Sequence, residues 1–258
     1  MSRVLLVSAG PGAPGLMTVR AAEAVRTAEA LLYDALVCDE AVALAPERCI
    51  RIRTGKRSGK ASMKQETINR LMLRLARRGL TVVRLKGGDA SVFGRSGEER
   101  AFLEANGVAV EIVPGVTAAS AAAAQFGFPL THRGEARRLM LATARTRDGA
   151  LADGGWREAA DPETTVALYM AGASAAAVAE RLMAEGRRPA TPALAVENAG
   201  RPEARLVRTD LAGLPAAVAA AAFEGPVLLL VGEVAAQAKD QSPRTVPIPV
   251  GRLAGQGA

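Results

Sequence analysis

A glycine pair followed by a carboxylate, Gly87-Gly88-Asp89, is the stretch of this sequence best suited to hold a ligand. It follows an apolar run, Leu80 to Leu85, whose β-branched residues predict a buried strand. Glycine has no Cβ atom, so the backbone can approach a ligand closely here. The Asp89 carboxylate can accept hydrogen bonds from a ligand amine or hydroxyl. A tight turn with a solvated Asp89 is the alternative interpretation.

A second glycine-rich stretch runs from Gly10 to Gly15 and matches G-x-G-x-x-G between a predicted strand and a predicted helix. Asp34 lies about 20 residues on, where the acid of a dinucleotide-binding site would lie. A nicotinamide-dinucleotide-binding oxidoreductase is therefore one hypothesis. The two prolines of the stretch count against it, because a pyrophosphate-binding turn offers backbone N–H groups and starts its helix at once. Here we expect the helix to begin only at Thr18.

Composition favours an anionic small-molecule partner. The chain has 258 residues, a net charge of +7 and a pI near 10.1, although ordinary surface solvation also accounts for such a charge. Aromatic residues make up only 3%, so base-stacking platforms are scarce and we expect no nucleic-acid partner. Cys38, Cys49 and the single histidine, His132, are too few for a disulfide framework or a metal site. No apolar run reaches the roughly 18 residues of a membrane span, and we expect a cytoplasmic protein.

Hydrophobic periodicity in the first 113 residues predicts strands that alternate with helices. Ser62 with Gln65, and Ser96 with Glu99, have capping-box spacing. The alternation favours an α/β fold with a mainly parallel sheet and right-handed crossovers. The predicted strands are 3–7, 31–37, 49–54, 80–85 and 108–113, and the predicted helices are about 18–30, 65–79 and 96–107.

Pro114-Gly115 interrupts this pattern, and we place a domain boundary there. The predicted organisation is an N-terminal α/β domain 1–114, a C-terminal α/β domain 115–236 and a loose tail 237–258. Thr117 is expected to cap an alanine-rich helix that runs to about Gln125. Pro215 must lie in the first turn of the last helix or kink it. Further strands are predicted at 139–143, 165–169, 193–197, 205–208 and 226–231, and helices at 173–185 and 211–223.

Several short motifs, taken in order, resemble the tetrapyrrole methylase family, and within it the uroporphyrinogen-III C-methyltransferases. The motifs VENAGRP (196–202) and VGE (231–233), with Tyr169 and Met170, extend the similarity to about residue 235. The motifs GKR (55–57) and THRG (131–134) resemble the uroporphyrinogen-III C-methyltransferases more than the later precorrin methylases or diphthine synthase. The motifs of the first half are VSAGPGAP (7–14), LYDALV (32–37), GKR (55–57), RLKGGD (84–89), VPGVTA (113–118) and PLTHRG (129–134).

The resemblance implies two α/β domains of the tetrapyrrole methylase type with the active site in the cleft between them. It implies S-adenosylmethionine as the cofactor, S-adenosylhomocysteine as the product and a homodimer. The reaction would methylate carbons 2 and 7 of uroporphyrinogen III, giving precorrin-2 on the way to siroheme and cobalamin. A related precorrin methylase, or a paralogue with another substrate, is the alternative. The cofactor-binding positions carried over by the resemblance are Pro11, Gly87, Gly88, Asp89, Val92, Thr117, Ala118, Met170 and Ala199.

The resemblance also matches Asp34 and Lys56 to the positions proposed as proton acceptor and proton donor. As a base, Asp34 would take a proton from the methylated macrocycle, which depends first on reach. As a structural group, it would cap the turn after its strand or hold an arginine. Lys56 could instead bind a carboxylate.

The substrate is a polycarboxylate, which a basic cleft would hold. Arg57, His132 and Arg133 are the substrate-binding residues that we predict, although His132 could instead fix its own loop. The other candidate arginines are Arg51, Arg53, Arg137 and Arg138.

The chain departs from the family's usual pattern at Ser8, Ala13, Ala35 and Ala90, and at 142–144, where Thr-Gly-His is common. Because Ala35 and Ala144 lack polar side chains, these changes bear on how substrate is held.

Overall fold

A computed structural model describes residues 3–55, 63–144 and 154–240. The chain forms two compact units, the first ending at Val116 and the second beginning at Thr117. Within the described ranges, no helix is long and apolar enough to cross a membrane. In the segment predicted as a tail, Ala238 is buried and Lys239 N donates to Phe126 O at 2.8 Å. Residues 241–258 lie outside the described ranges.

The first unit is built on a parallel five-stranded sheet, as the β-α-β alternation predicts. Its order is β3-β2-β4-β1-β5, and every neighbouring pair is parallel. The strands β1 and β4 at its centre are almost wholly buried, which is typical of a sheet covered on both faces. The strands are β1 Arg3–Ser8, β2 Ala30–Tyr33, β3 Ile50–Arg53, β4 Val82–Lys86 and β5 Ala109–Val113.

Within its described residues, the first unit has the α-helices α1 Val19–Arg26, α2 Asp39–Ala43, α3 Gln65–Arg77 and α4 Ser96–Ala105. Alternate residues of each strand point to opposite layers, so that Leu31 joins the core that includes α1 and α2 while Leu32 joins the core that includes α3. The predicted helix end near Ala30 was wrong, because Ala30 already begins β2. The predicted second strand was also too long, since β2 ends at Tyr33 and Asp34 lies in the turn after it.

The capping box predicted at Ser96 and Glu99 was wrong. The N-cap of α4 is Arg95, Ser96 is the first helical residue, and the Glu99 side chain bonds to Arg84 and Lys86. For α3 the N-cap is Lys64, and Ser62 lies outside the described residues.

The second unit contains a mixed sheet in the order β6-β7-β10-β8-β9. β6 and β7 are parallel, whereas β10 runs antiparallel to both β7 and β8, and β8 is antiparallel to β9. The predicted strands are confirmed, with bounds shifted by one or two residues. They are β6 Arg138–Thr143, β7 Thr164–Tyr169, β8 Pro192–Glu197, β9 Arg205–Asp210 and β10 Val227–Val231.

The helices of the second unit are α5 Ala118–Gln125, α6 Trp156–Ala160, α7 Ala175–Ala184 and α8 Leu214–Ala221. Pro215 lies in the first turn of α8, as predicted. Thr117 is the N-cap of α5, as predicted, although its side chain makes no cap hydrogen bond. The helices predicted at 173–185 and 211–223 are shorter than expected.

Candidate active site

The loops after β1 and β4 are joined by their glycines. Gly10 N donates to Gly88 O at 3.1 Å, and Gly88 N donates to Gly10 O at 2.7 Å. Both residues have positive φ, +74° and +68°, a conformation that glycine adopts at little cost. The two glycine motifs of the sequence therefore form a single structure, which we call the glycine pair (Gly10 and Gly88).

Gly87 and Gly88 serve different purposes. A Cβ atom at Gly87 would lie 2.8 Å from Leu36 Cβ, so this glycine allows close packing. A Cβ atom at Gly88 would meet none of the described residues within 4 Å. The backbone of Gly88 thus has an open face, which is where a ligand could lie against it.

Ser8, one of the departures from the family pattern, ties three segments together. Its hydroxyl donates to Val113 O at 2.7 Å and accepts from Ala90 N at 2.9 Å. A Cβ atom at Gly115 would lie 2.5 Å from Ser8 Cβ, so the loop after β5 packs directly on this residue.

The Asp89 carboxylate is held by protein donors through both of its oxygens. Oδ1 accepts from Ser91 N at 2.7 Å and from Ser91 Oγ at 2.5 Å, and Oδ2 accepts from Gly115 N at 3.1 Å. Partial burial acts to raise the pKa of Asp89, but these hydrogen bonds outweigh burial and hold it below its ordinary value. Asp89 is therefore ionised at neutral pH, and its carboxylate links the loop after β4 to the loop after β5.

The first glycine stretch does not have dinucleotide-binding geometry. Residues Pro14–Leu16 form a short 3₁₀ turn, and α1 begins only at Val19. Thr18 caps α1, as predicted, by accepting from Ala21 N at 3.1 Å, so one of the first N–H groups of the helix is already bonded. The geometry disfavours a pyrophosphate at this helix and weakens the oxidoreductase hypothesis.

Beyond Asp89, the loop has unusual backbone conformations. The half-buried Val92 donates its N–H to Asp89 O at 3.1 Å. Pro11, in the loop after β1, is half-buried as well. Phe93 and Arg95 have φ of +53° and +58°. Non-glycine residues with positive φ are uncommon and concentrate at functional sites.

Asp34 lies at the same edge of the first sheet, directly after β2, and its side chain is 30% exposed. Its Oδ1 atom accepts from Thr54 Oγ1 at 3.1 Å and from Arg84 Nη2 in an ion pair. Asp34 does hold an arginine, which is one of the structural roles considered for it. The arrangement leaves Oδ2 without a hydrogen bond from the described residues, so a role in proton transfer also fits.

Sequence reasoning missed the charged cluster behind Asp34, which we call the Glu99 cluster (Arg84, Lys86, Glu99 and Gln65). Glu99 accepts from Arg84 Nε at 3.1 Å, from Lys86 Nζ at 3.0 and 2.9 Å, and from Gln65 Nε2 at 3.0 Å. Burial lowers the pKa of Lys86, Arg84 lowers it further, and Glu99 opposes the shift. The available signal was a pair of cations two residues apart, Arg84 in the strand predicted to be buried and Lys86 directly after it, since buried charges need a partner of opposite charge.

In the second unit, Tyr169 at the end of β7 fastens the start of α5. Its hydroxyl lies 2.5 Å from Thr117 Oγ1 and accepts from Ala119 N at 3.2 Å. Three predicted cofactor residues, Thr117, Ala118 and Met170, are thereby brought together. Met170 has φ of +56° and is 63% exposed, so a strained backbone presents an apolar side chain to solvent.

Ala199 lies in the turn after β8 and is buried. Its neighbour Asn198 has φ of +54°. The Gln125 side chain fixes this turn to α5, donating to Arg201 O and accepting from Gly200 N, both at 2.9 Å.

The predicted substrate residues are only partly described. His132 and Arg133 are exposed in one loop, and His132 Nδ1 lies 3.5 Å from Glu135 Oε1. Arg137 and Arg138 form ion pairs with Glu163 and Asp161, which leaves them less suited to a ligand carboxylate. Lys56 and Arg57 lie outside the described residues. Within the described ranges, no group of His, Cys, Asp or Glu side chains could hold a metal ion.

The sequence profile of the family described as Tetrapyrrole (Corrin/Porphyrin) Methylases matches residues 3–215. The chain belongs to this family. It is 43% identical over 259 aligned residues to "Uroporphyrinogen-III C-methyltransferase" of Paracoccus denitrificans, covering 100% of this chain and 90% of that one. It is 42% identical to "Siroheme synthase" of Azotobacter vinelandii over 91% of this chain, but it spans only 50% of that longer protein.

Solved structures of tetrapyrrole methylases have the same fold. The uroporphyrin-III C-methyl transferase of Thermus thermophilus, complexed with S-adenyl homocysteine, has a TM-score of 0.77 and 39% identity, covering 90% of this chain and 92% of its own. The cobalt precorrin-4 methyltransferase CbiF has a TM-score of 0.82 at 28% identity, covering 91% of this chain and 96% of its own. The predicted fold class, two α/β domains of the tetrapyrrole methylase type, is confirmed.

Proposed function

We propose that this chain transfers methyl groups from S-adenosylmethionine to carbons 2 and 7 of uroporphyrinogen III, giving precorrin-2. The observation that carries the proposal is the 43% identity, over the whole chain, to the Paracoccus denitrificans protein named for this reaction. The S-adenyl homocysteine complex of the Thermus thermophilus neighbour supports the cofactor.

The described residues fit such a cofactor. Gly88 offers an open backbone face at the end of β4, and Met170 is exposed at the end of β7. We assign cofactor binding to Pro11, Gly87, Gly88, Asp89, Val92, Thr117, Ala118, Met170 and Ala199. S-adenosylmethionine supplies an electrophilic sulfonium methyl when bound, so the chain's own residues have to align the reactants and exclude water.

Proton handling falls to Asp34 in this proposal. Methylation of a carbon leaves a cationic macrocycle, which becomes neutral when it releases a proton. The Oδ2 atom of Asp34 is available for that proton. Among the described residues, Arg84 and Thr54 donate to Oδ1 and leave Oδ2 without a hydrogen bond. We assign proton donation to Lys56 and binding of the substrate carboxylates to Arg57, His132 and Arg133, since cations and hydrogen-bond donors suit a polycarboxylate. A homodimer and a cytoplasmic location complete the proposal.

The decisive experiment combines purified protein with uroporphyrinogen III and isotope-labelled S-adenosylmethionine and identifies the products by mass. We expect two labelled methyl groups per macrocycle and two equivalents of S-adenosylhomocysteine. A product with label in other positions, seen by NMR, would indicate a paralogue with another substrate preference.

Calorimetry distinguishes the oxidoreductase alternative. We expect saturable binding of S-adenosylhomocysteine and none of NAD or NADP. Binding of a nicotinamide nucleotide without binding of S-adenosylhomocysteine would overturn the proposal. Size-exclusion chromatography with light scattering checks the dimer.

A further inference from the structure

In the described part of the first unit, the buried charged residues are Arg84, Lys86 and Glu99, and they contact one another. Taking charges out of water is costly even when they are paired, and apolar residues of similar volume often stabilise a fold equally well. The Glu99 cluster therefore needs an explanation beyond the stability of the sheet.

This cluster reaches the surface at Asp34. Arg84 is 3% exposed, Glu99 is fully buried, and the Asp34 side chain is 30% exposed. With Asp34 included, the charges of Arg84 and Lys86 balance those of the two carboxylates. The ion pair with Arg84 thus connects the interior of the sheet to the edge where the glycine pair lies.

The Arg84 guanidinium is held on three sides. Nε donates to Glu99 at 3.1 Å, Nη1 donates to Leu85 O at 3.3 Å, and Nη2 donates to Asp34 Oδ1. Lys86 pairs with the same Glu99 carboxylate and keeps it in place. A planar guanidinium fixed in this way cannot rotate, so the direction of its bond to Asp34 is also fixed.

We propose that Arg84 is a positioning residue for the reaction: held by Glu99, it fixes Oδ1 of Asp34 so that Oδ2 stays available to accept a proton. This rests on the proposed function, in which Asp34 is the base. In that step Oδ2 forms an O–H bond with the proton. The C–H bond of the macrocycle that breaks leaves its electron pair in the ring, where the pair cancels the positive charge that the transferred methyl group brought.

A double-mutant cycle tests the inference, with single-turnover methylation under saturating substrate as the readout. Asp34→Asn should lose roughly 10²–10⁴-fold in rate, and Arg84→Gln at least tenfold. The double variant should be within about threefold of Asp34→Asn, because residues that act as a unit are not additive. Arg84→Lys keeps the cation and should recover part of the rate. In each variant KM should change less than kcat.

Arg187→Gln is the matched control, since Arg187 is equally buried but lies in the second unit and donates to the backbone carbonyls of Ala159, Asp161 and Thr164. It should lower the thermal midpoint and leave the methylation rate within about twofold of the parent. If the losses of Arg84→Gln and Asp34→Asn multiply in the double variant, or if folded Arg84→Lys and Arg84→Gln both react at the parent rate, the inference is wrong.

A second readout does not need activity. Labelling of the Asp34 carboxyl with a carbodiimide and an amine, located by mass spectrometry, reports whether Arg84 holds it. We expect the labelled fraction to rise several-fold in Arg84→Lys and Arg84→Gln, and not in Arg187→Gln. Equal labelling in the parent protein and in all three variants would overturn the inference. A parent protein that fails to methylate uroporphyrinogen III while the labelling differs as expected would refute the proposed function alone.

Discussion

Replacing Gly88 with alanine should weaken cofactor binding far more than it weakens the fold. The added Cβ atom would meet no described residue within 4 Å, so the protein itself has room for it. The cost to the fold comes from the φ of +68°, about 1–2 kcal/mol for a residue with a Cβ atom. The lower entropy of the unfolded alanine chain returns about 0.4–1 kcal/mol. We therefore expect a net loss of about 1 kcal/mol, or a fall of about 2–4 °C in the thermal midpoint for a chain of this size.

The effect on binding is larger, because the Cβ atom occupies the open face against which the cofactor is proposed to lie. Excess volume in a packed contact costs about 1–3 kcal/mol. At about 1.4 kcal/mol per tenfold, this corresponds to a rise of about 5- to 150-fold in the Kd for S-adenosylhomocysteine. Calorimetry on the folded variant measures it directly.

Two other glycines supply the controls. Gly97 is exposed in α4 with nothing within 4 Å of its Cβ position, so Gly97→Ala should leave the Kd unchanged and stabilise the helix by up to about 1 kcal/mol. Gly115→Ala should destabilise the fold itself, since its Cβ would lie 2.5 Å from Ser8 Cβ. An affinity of Gly88→Ala within twofold of the Gly97→Ala value would refute the reasoning and leave Gly88 as a residue of the turn only.

Asp34→Asn should bind S-adenosylhomocysteine normally yet lose roughly 10²–10⁴-fold in single-turnover rate; an unchanged rate would remove Asp34 from the catalytic residues. Ser8→Ala should lower the free energy of unfolding by about 1–3 kcal/mol, because Ala90 N–H is left unpaired in the interior. Thr165→Val is its control and should be neutral or stabilising in urea denaturation, since the buried Thr165 hydroxyl has no partner among the described residues. The hydrogen bond from Gly225 N lowers the pKa of Glu197, as does that from Glu224 N, against the opposing effect of burial. This stabilisation is complete above the ordinary glutamate pKa of roughly 4.3 and is lost as the pH falls below it, so Glu197→Gln should flatten the dependence of the thermal midpoint on pH between about 5 and 3.

The regular parts of the fold were predictable because local pattern and tertiary structure agree. The apolar run before Gly87 forms the buried strand β4, and Ile68, Met72 and Leu75 form the buried face of α3. The five-residue helices α2 and α6 were missed, since segments this short have no clear period. The antiparallel pairing of β10 in the second sheet also has no local signature.

For the candidate site, sequence indicated which residues matter but not what holds them. The spacing of Ser96 and Glu99 suggested a local cap, yet the Glu99 side chain bonds to Arg84 and Lys86 of β4. Asp89 was expected to face a ligand, and its oxygens are bonded to Ser91 and Gly115. The positive φ of Met170 follows from tertiary constraints that no local propensity reports. These outcomes depend on hydrogen-bond partners and backbone conformations that the residue types and their spacing do not specify.

The position of β1 between β4 and β5 has a consequence for synthesis on the ribosome. Val4 pairs with Val82 on one side and with Val110 on the other. A ribosome that adds about 5–20 residues per second needs on the order of 5–20 s to extend from the first of these valines to the last. Until β4 has been made, the nascent chain carries a run of apolar residues, Val4 to Val7, without either of its partner strands. The first unit can therefore complete its sheet only after β5 has left the exit tunnel, although β1 pairs with the earlier-made β4 as well as with β5.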